Sequence, residues 1–216
     1  MTDKRTTLLK KYTPMTKAQL KDVVAHYATH FPDWEIFVDG MAFVRRHGPI
    51  QQMIWFQKMS YAAYRPTHGI RSLVLPEAFI RMLPQILDVG HREIEYRWHE
   101  RKFADTLAAM EQQFRPDIRK PLDIEEVLGL CEAESASMPD TKNSMTMLAI
   151  LHAWLGHKAA TLEYCERIQH CPLPKLAPMP EWEKAMRGFG RNLAQAVEAG
   201  TAREFLQTSA ASTNVK

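Results

Sequence analysis

The sequence predicts an α+β fold: an N-terminal helix on a three- or four-stranded antiparallel meander, followed by a mostly α-helical C-terminal part. Three observations carry that expectation. Apolar residues recur at helical spacing between Leu20 and Tyr27, give way to aromatic and β-branched runs between Trp34 and Leu75, and return to helical spacing after Pro76. Asp39-Gly40 and Gly48-Pro49 punctuate the middle stretch where hairpin turns belong. Turns that short force antiparallel neighbours.

The elements follow in order. Residues 1–12 read as a flexible basic arm. Pro14 and Thr16 supply helix-start chemistry for an amphipathic helix to about Thr29, and Phe31-Pro32 ends it. Trp34–Val38, Met41–His47, Ile50–Met59 and Ile70–Leu75 read as strands, with Arg65–Gly69 as a loop. This completes a helix-plus-sheet part over residues 13–75. Pro76 opens a helical assembly over 76–206. It holds a helix bent near Pro84, a long helix over His91–Phe114, and a helix begun by Asp123 as N-cap with Glu126 as its capping-box partner. Ser144–Leu155 and Lys158–His170 form a helical hairpin about Gly156 whose register resembles one tetratricopeptide-type pair, without the further copies that stacked repeats need. Cys171–Pro180 is an extended linker, Glu181–Leu206 a last helix, and 207–216 a disordered tail. No Gly/Ser stretch divides the two main parts, so they are expected to pack together, even as one continuous domain.

Composition narrows the classes. At 216 residues, 45% hydrophobic and 25% charged, the chain is an ordinary globular protein and not collagen-like, wholly disordered or a disulfide scaffold. The uncharged stretch around 144–156 is far short of the roughly 20 apolar residues a membrane span needs. The polar, basic N-terminus lacks the apolar core of a secretory signal. Three cysteines, Cys131, Cys165 and Cys171, fit reduced thiols in the cytoplasm, with Cys131 in a buried helical stripe. Residues 1–30 carry six Lys/Arg against two acids, whereas 121–140 carry six acids and no base. Such asymmetry speaks to partners, not to fold.

Phosphate-loop, dinucleotide, zinc-protease and nucleophile-elbow motifs are all missing from the sequence. Three constellations remain. His91, Glu95 and His99, spaced four apart on one expected helix, would cover an arc of about 80° and could hold a metal ion, although Arg92, Arg97 and Arg101 stand beside them. Arg45, Arg46 and Lys58 among the strand aromatics would suit single-stranded nucleic acid. Alternation makes both sheet faces apolar, however, which assigns those aromatics to the core. Asp123, Glu125, Glu126, Glu132 and Glu134 form an acidic belt able to steer a basic partner.

The leading expectation is a non-catalytic cytosolic protein-binding module without a cofactor. It would occlude another protein that has a basic surface, through the acidic belt. A small sheet joined to helical hairpins resembles, in outline only, small bacterial immunity and adaptor proteins. The alternatives are a metal-dependent enzyme on the His91/Glu95/His99 face and a single-strand binder using Arg45, Arg46 and Lys58.

Overall fold

The computed structural model describes residues 14–37, 39–75, 81–90, 93–137, 141–172 and 180–213. The expected N-terminal arm, most of the proline-rich linker and the end of the tail lie outside these residues. The first helix, α1 (Lys17–Ala28), starts where expected. Thr16 Oγ1 accepts the Gln19 N–H at 3.1 Å, and Gln19 Oε1 accepts the Thr16 N–H at 2.8 Å. That reciprocal pair satisfies two donors the helix start would otherwise leave open. Its apolar stripe buries Leu20, Val23, Val24 and Tyr27.

The antiparallel sheet has strands β1 (Glu35–Ile36), β2 (Ala42–His47), β3 (Ile50–Lys58), β4 (Ala63–Ser72), β5 (Arg81–Ile86) and β6 (Ile94–Glu95). The order is β1-β2-β3-β4-β5, with β6 also on β4. Ile36 pairs with Phe43 and Tyr64 with Ile94, both antiparallel. The Asp39-Gly40 turn is wider than two residues. Asp39 Oδ1 accepts the Met41 N–H at 3.0 Å, and the ladder resumes only where Phe37 N–H donates to Ala42 O at 2.9 Å. An aspartate side chain competing for a turn N–H opens such loops. Gly48 turns β2 into β3 at φ +54°. A Cβ there would lie 2.6 Å from the Trp154 ring, so glycine is required twice over.

Four expectations are corrected. Residues 65–69 are not a loop but the interior of β4; Pro66 still offers its carbonyl, which accepts the Leu87 N–H at 3.2 Å. The helix expected around Pro84 is strand β5. Proline denies a helix its N–H and disfavours helical torsions at the preceding residue; Leu83 there stands at φ +53°, a left-handed torsion uncommon outside glycine. Edge position in the sheet makes the same proline tolerable. The long helix expected from His91 begins only at His99: α2 spans His99–Gln113, after a 3-10 turn at Tyr96–Trp98. Pairing of Ile94 and Glu95 with β4 overrides their helical spacing. The last helix divides at Gly200, φ +76°, into α6 (Glu181–Glu198) and α7 (Ala202–Thr213), so much of the expected tail is helical.

The other helices are α3 (Ile124–Ser137), α4 (Lys142–Leu155) and α5 (Lys158–His170). Gly156, at φ +80°, makes the turn between α4 and α5. Asp123 caps α3 through the Glu125 N–H at 2.9 Å.

The chain forms two compact units, and they do not follow chain order. One comprises 1–45, 52–69 and 84–121; the other 46–51, 70–83 and 122–216. β2, β3, β4 and β5 contribute residues to both. The first has an aromatic-rich core that includes Tyr27, Phe31, Phe43, Phe56, Tyr64 and Phe114. The second is aliphatic, centred on Leu148, Ile150 and Leu151 of α4 with Val127, Ile168 and Leu193. Within it Glu183 is fully buried, its carboxylate accepting from Lys142 Nζ at 2.5 Å and Arg187 Nε at 2.8 Å.

Candidate functional site

The first unit contains a buried polar chain that starts at α1. His26 Nδ1 lies 3.0 Å from His99 Nε2, at the first residue of α2. His99 Nδ1 lies 2.8 Å from the Tyr64 hydroxyl on β4, which lies 3.3 Å from the Tyr27 hydroxyl back on α1. Thr106, one of two hydroxyls that interact with Tyr27, donates its own proton to Lys102 O at 2.7 Å. These contacts are all satisfied when Thr106 accepts from Tyr27, Tyr27 from Tyr64 and Tyr64 from His99 Nδ1–H, an arrangement that leaves His99 Nε2 as an acceptor facing His26.

Burial sets the protonation of these groups. His99, 6% exposed, has its pKa lowered by burial and by His26, against the pull of Glu100. Burial also raises Tyr64 above the ordinary phenol range and pushes Tyr27 up to about 12, the latter against its hydrogen bonds with Tyr64 and Thr106. His99, Tyr64 and Tyr27 are therefore neutral near pH 7. Phe103 stacks on the His26 ring at 3.9 Å with the planes 7° apart. Glu100, exposed and next in sequence to His99, completes a group whose ligand atoms all lie within 4.8 Å of one another.

His26 carries no signal in the sequence; it stands 73 residues from His99 and meets it only through the packing of α1 on α2. Of the expected His91/Glu95/His99 set, His91 lies outside the described residues. Glu95 is on β6, paired to Arg97 at 2.7 Å, so no helix face joins it to His99. Arg97 and Arg101 lie over the Trp98 ring, at 4.9 and 4.0 Å.

Among the expected nucleic-acid residues, Arg45 is held inside the first unit. It donates to Gln52 Oε1 at 2.5 Å and Asp117 O at 2.8 Å, and lies over the Trp34 ring. Arg46 and Lys58 are exposed. Gln52 also donates to His68 Nε2 at 2.8 Å, which places the His68 proton on Nδ1. That Nδ1 has no hydrogen-bond partner, and burial together with Arg45 pushes His68 down to about 3, against the pull of Gln85.

The acidic belt lies on α3. Ile124, Val127, Leu128 and Cys131 bury its inner face, while Glu125, Glu126 and Glu132 are exposed beside Gly129, Ala133 and Ala136. No cation pairs with Glu125 or Glu126 among the described residues. Glu132 lies 3.4 Å from His152, whose pKa burial lowers against the pull of Glu132, so the imidazole does not cancel that charge near pH 7. Glu134 is turned inward and accepts the Leu83 N–H at 3.2 Å. His152 and His157 meet at 3.2 Å although five residues apart, because the Gly156 turn carries His157 back over the end of α4.

Cys131 and Cys165 are buried, and burial pushes their thiols up to about 12 and about 11. Thiols so shifted are poor nucleophiles and poor ligands. An open cleft of about 450 Å³ lies among Trp154, Gly156, Lys158, Thr161 and Arg203 in the second unit. Arg203 is committed there to the Trp154 carbonyl at 2.9 Å and lies over its ring at 4.9 Å. Among the described residues no helix is long and apolar enough to cross a membrane. No protein-family model matches the chain, and neither does any curated protein or solved structure.

Proposed function

We propose that this chain is a non-catalytic protein-binding module that acts from the cytoplasm as an immunity or adaptor protein does, by covering a basic surface of its partner with α3. One observation supports this most: the outward face of α3 carries Glu125, Glu126 and Glu132 without a compensating cation among the described residues, on a helix whose inner face is locked into an aliphatic core. Charges on a rigid element steer association and keep their geometry on contact. Gly129, Ala133 and Ala136 let a partner backbone come close to the helix axis. Affinity then comes from a few desolvated anchors, and charge sets rate and register.

Two features inside the first unit bear on the competing readings. Arg45 is spent on Gln52 and Asp117, which leaves a single-strand groove without one of its three expected cations. Glu95 is paired with Arg97 on a strand, away from any shared helix face with His99.

The test is co-purification of the tagged chain with the products of neighbouring genes, repeated with Glu125→Lys, Glu126→Lys and Glu132→Lys combined. A single partner is expected, retained at low salt and lost from the variant. A chain that elutes alone, or a complex indifferent to charge reversal, contradicts the proposal.

A further inference from the structure

We propose that His26, His99 and Glu100 bind one divalent transition-metal ion of the zinc type, with the remaining coordination position open to solvent. The site is independent of the α3 surface. Its ligand atoms already lie within 4.8 Å of one another. Zn–N bonds of about 2.0–2.1 Å at a tetrahedral angle place two nitrogens about 3.3 Å apart. His26 Nδ1 and His99 Nε2 stand at 3.0 Å, so an opening of a few tenths of an ångström admits the ion.

The surroundings are those of a ligand set. His99 Nδ1 lies 2.8 Å from the Tyr64 hydroxyl, and with the ring proton on Nδ1 the Nε2 lone pair faces the site. Metal-bound imidazoles nearly always have such an outer partner. Tyr64 is itself held by Tyr27, so the ring orientation is set by two helices and a strand. Phe103 holds the His26 ring flat from one side. Ligation requires His26 to present its Nδ1 lone pair to the ion, with its ring proton on Nε2.

The donor set selects the metal. Two imidazoles and one carboxylate suit zinc, cobalt(II) or iron(II), and are a poor match for calcium or magnesium, which take oxygen ligands. The arginines that could oppose a cation are engaged elsewhere: Arg97 with Glu95 and Trp98, Arg101 over Trp98. Glu100 supplies the one negative charge from the exposed side, where an ion can enter.

Chelator-treated full-length chain is titrated with zinc and, separately, with cobalt(II), following heat of binding, visible absorption and the thermal midpoint. One equivalent of zinc is expected, with a rise in the midpoint and the absorption of low-coordinate cobalt. Glu100→Gln alters only an exposed side chain and is expected to weaken binding more than about tenfold, as is His26→Gln. Tyr64→Phe, which removes only the outer partner, is expected to weaken it about 10–100-fold. No stoichiometric uptake at micromolar zinc overturns the assignment. So does uptake that Glu100→Gln and His26→Gln leave unchanged, because the ion then sits elsewhere.

Discussion

Glu183 illustrates how single side chains hold this protein together. It is 0% exposed, yet Lys142 and Arg187 surround its carboxylate. Burial alone would raise its pKa, but the hydrogen bonds and charges of Lys142 and Arg187 outweigh that and hold it below the usual 4.5. A carboxylate depressed in the folded state stabilises fully above its unfolded pKa, and the contribution is lost as pH falls through the folded value. Removing it strands two cations. Glu183→Ala is expected to cost roughly 3 kcal/mol in urea unfolding at pH 7, the lower end of the range for a broken buried pair because both cations keep some solvent. His68 acts in a higher window. Its pKa, about 3 when folded against 6.5 unfolded, means that the unfolded chain binds a proton the folded one refuses. Stability therefore falls as pH drops from 6.5 toward 3, by up to the order of 4 kcal/mol. His68→Gln, which keeps an acceptor for Gln52, is expected to flatten that slope between pH 6.5 and 4; an unchanged slope would locate the titration elsewhere. Neither residue announces itself in the sequence. Both are polar positions whose environment depends on distant partners, Gln52 16 residues from His68 and Lys142 41 residues from Glu183.

Among the elements, those with local signals are legible and those set by distant partners are not. Thr16 with Gln19 marks the start of α1, Gly156 marks the α4–α5 turn, and apolar spacing marks α3 and α4; each signal lies within a few residues of what it specifies. Pro84 and Ile94–Glu95 mislead because their outcome depends on β4. A strand edge in need of partners is invisible to local spacing, and it captures segments that would otherwise be helical. The same reason hides the candidate metal site: His99 opens α2, well inside the longer helix expected from His91, and His26 is on another element altogether. The acidic helix α3 is legible because its pattern, acids outside and aliphatics inside, is contained in one stretch. Gly48 tests how tightly one turn is specified. Gly48→Ala is expected to destabilise by about 1–3 kcal/mol, since the left-handed torsion and the Trp154 ring both oppose a methyl group. The thermal midpoint measures this, and one within a degree of the parent would mean that the turn and the ring yield easily.

The whole molecule has two cores of different character, aromatic and aliphatic, whose residues alternate along the chain. The aliphatic unit draws Ile50, Ile70, Leu73–Leu75, Met82 and Leu83 from the strand region. Residues 122–216 expressed alone lack all of these, and are expected to show no cooperative unfolding transition; a sharp transition would mean that the helices suffice. Composition and order of segments disclose the α+β class, but this interleaving is not disclosed, because it arises where single strands serve two cores. In the proposed function the working part is an outer contact face presented by α3. Native mass spectrometry of the chain co-expressed with its neighbouring genes is the sharpest test. The expected result is a defined complex with one protein, which dissociates when salt is raised and is absent for the triple lysine variant of Glu125, Glu126 and Glu132. A free chain under every condition, or a complex that survives both salt and charge reversal, would contradict it.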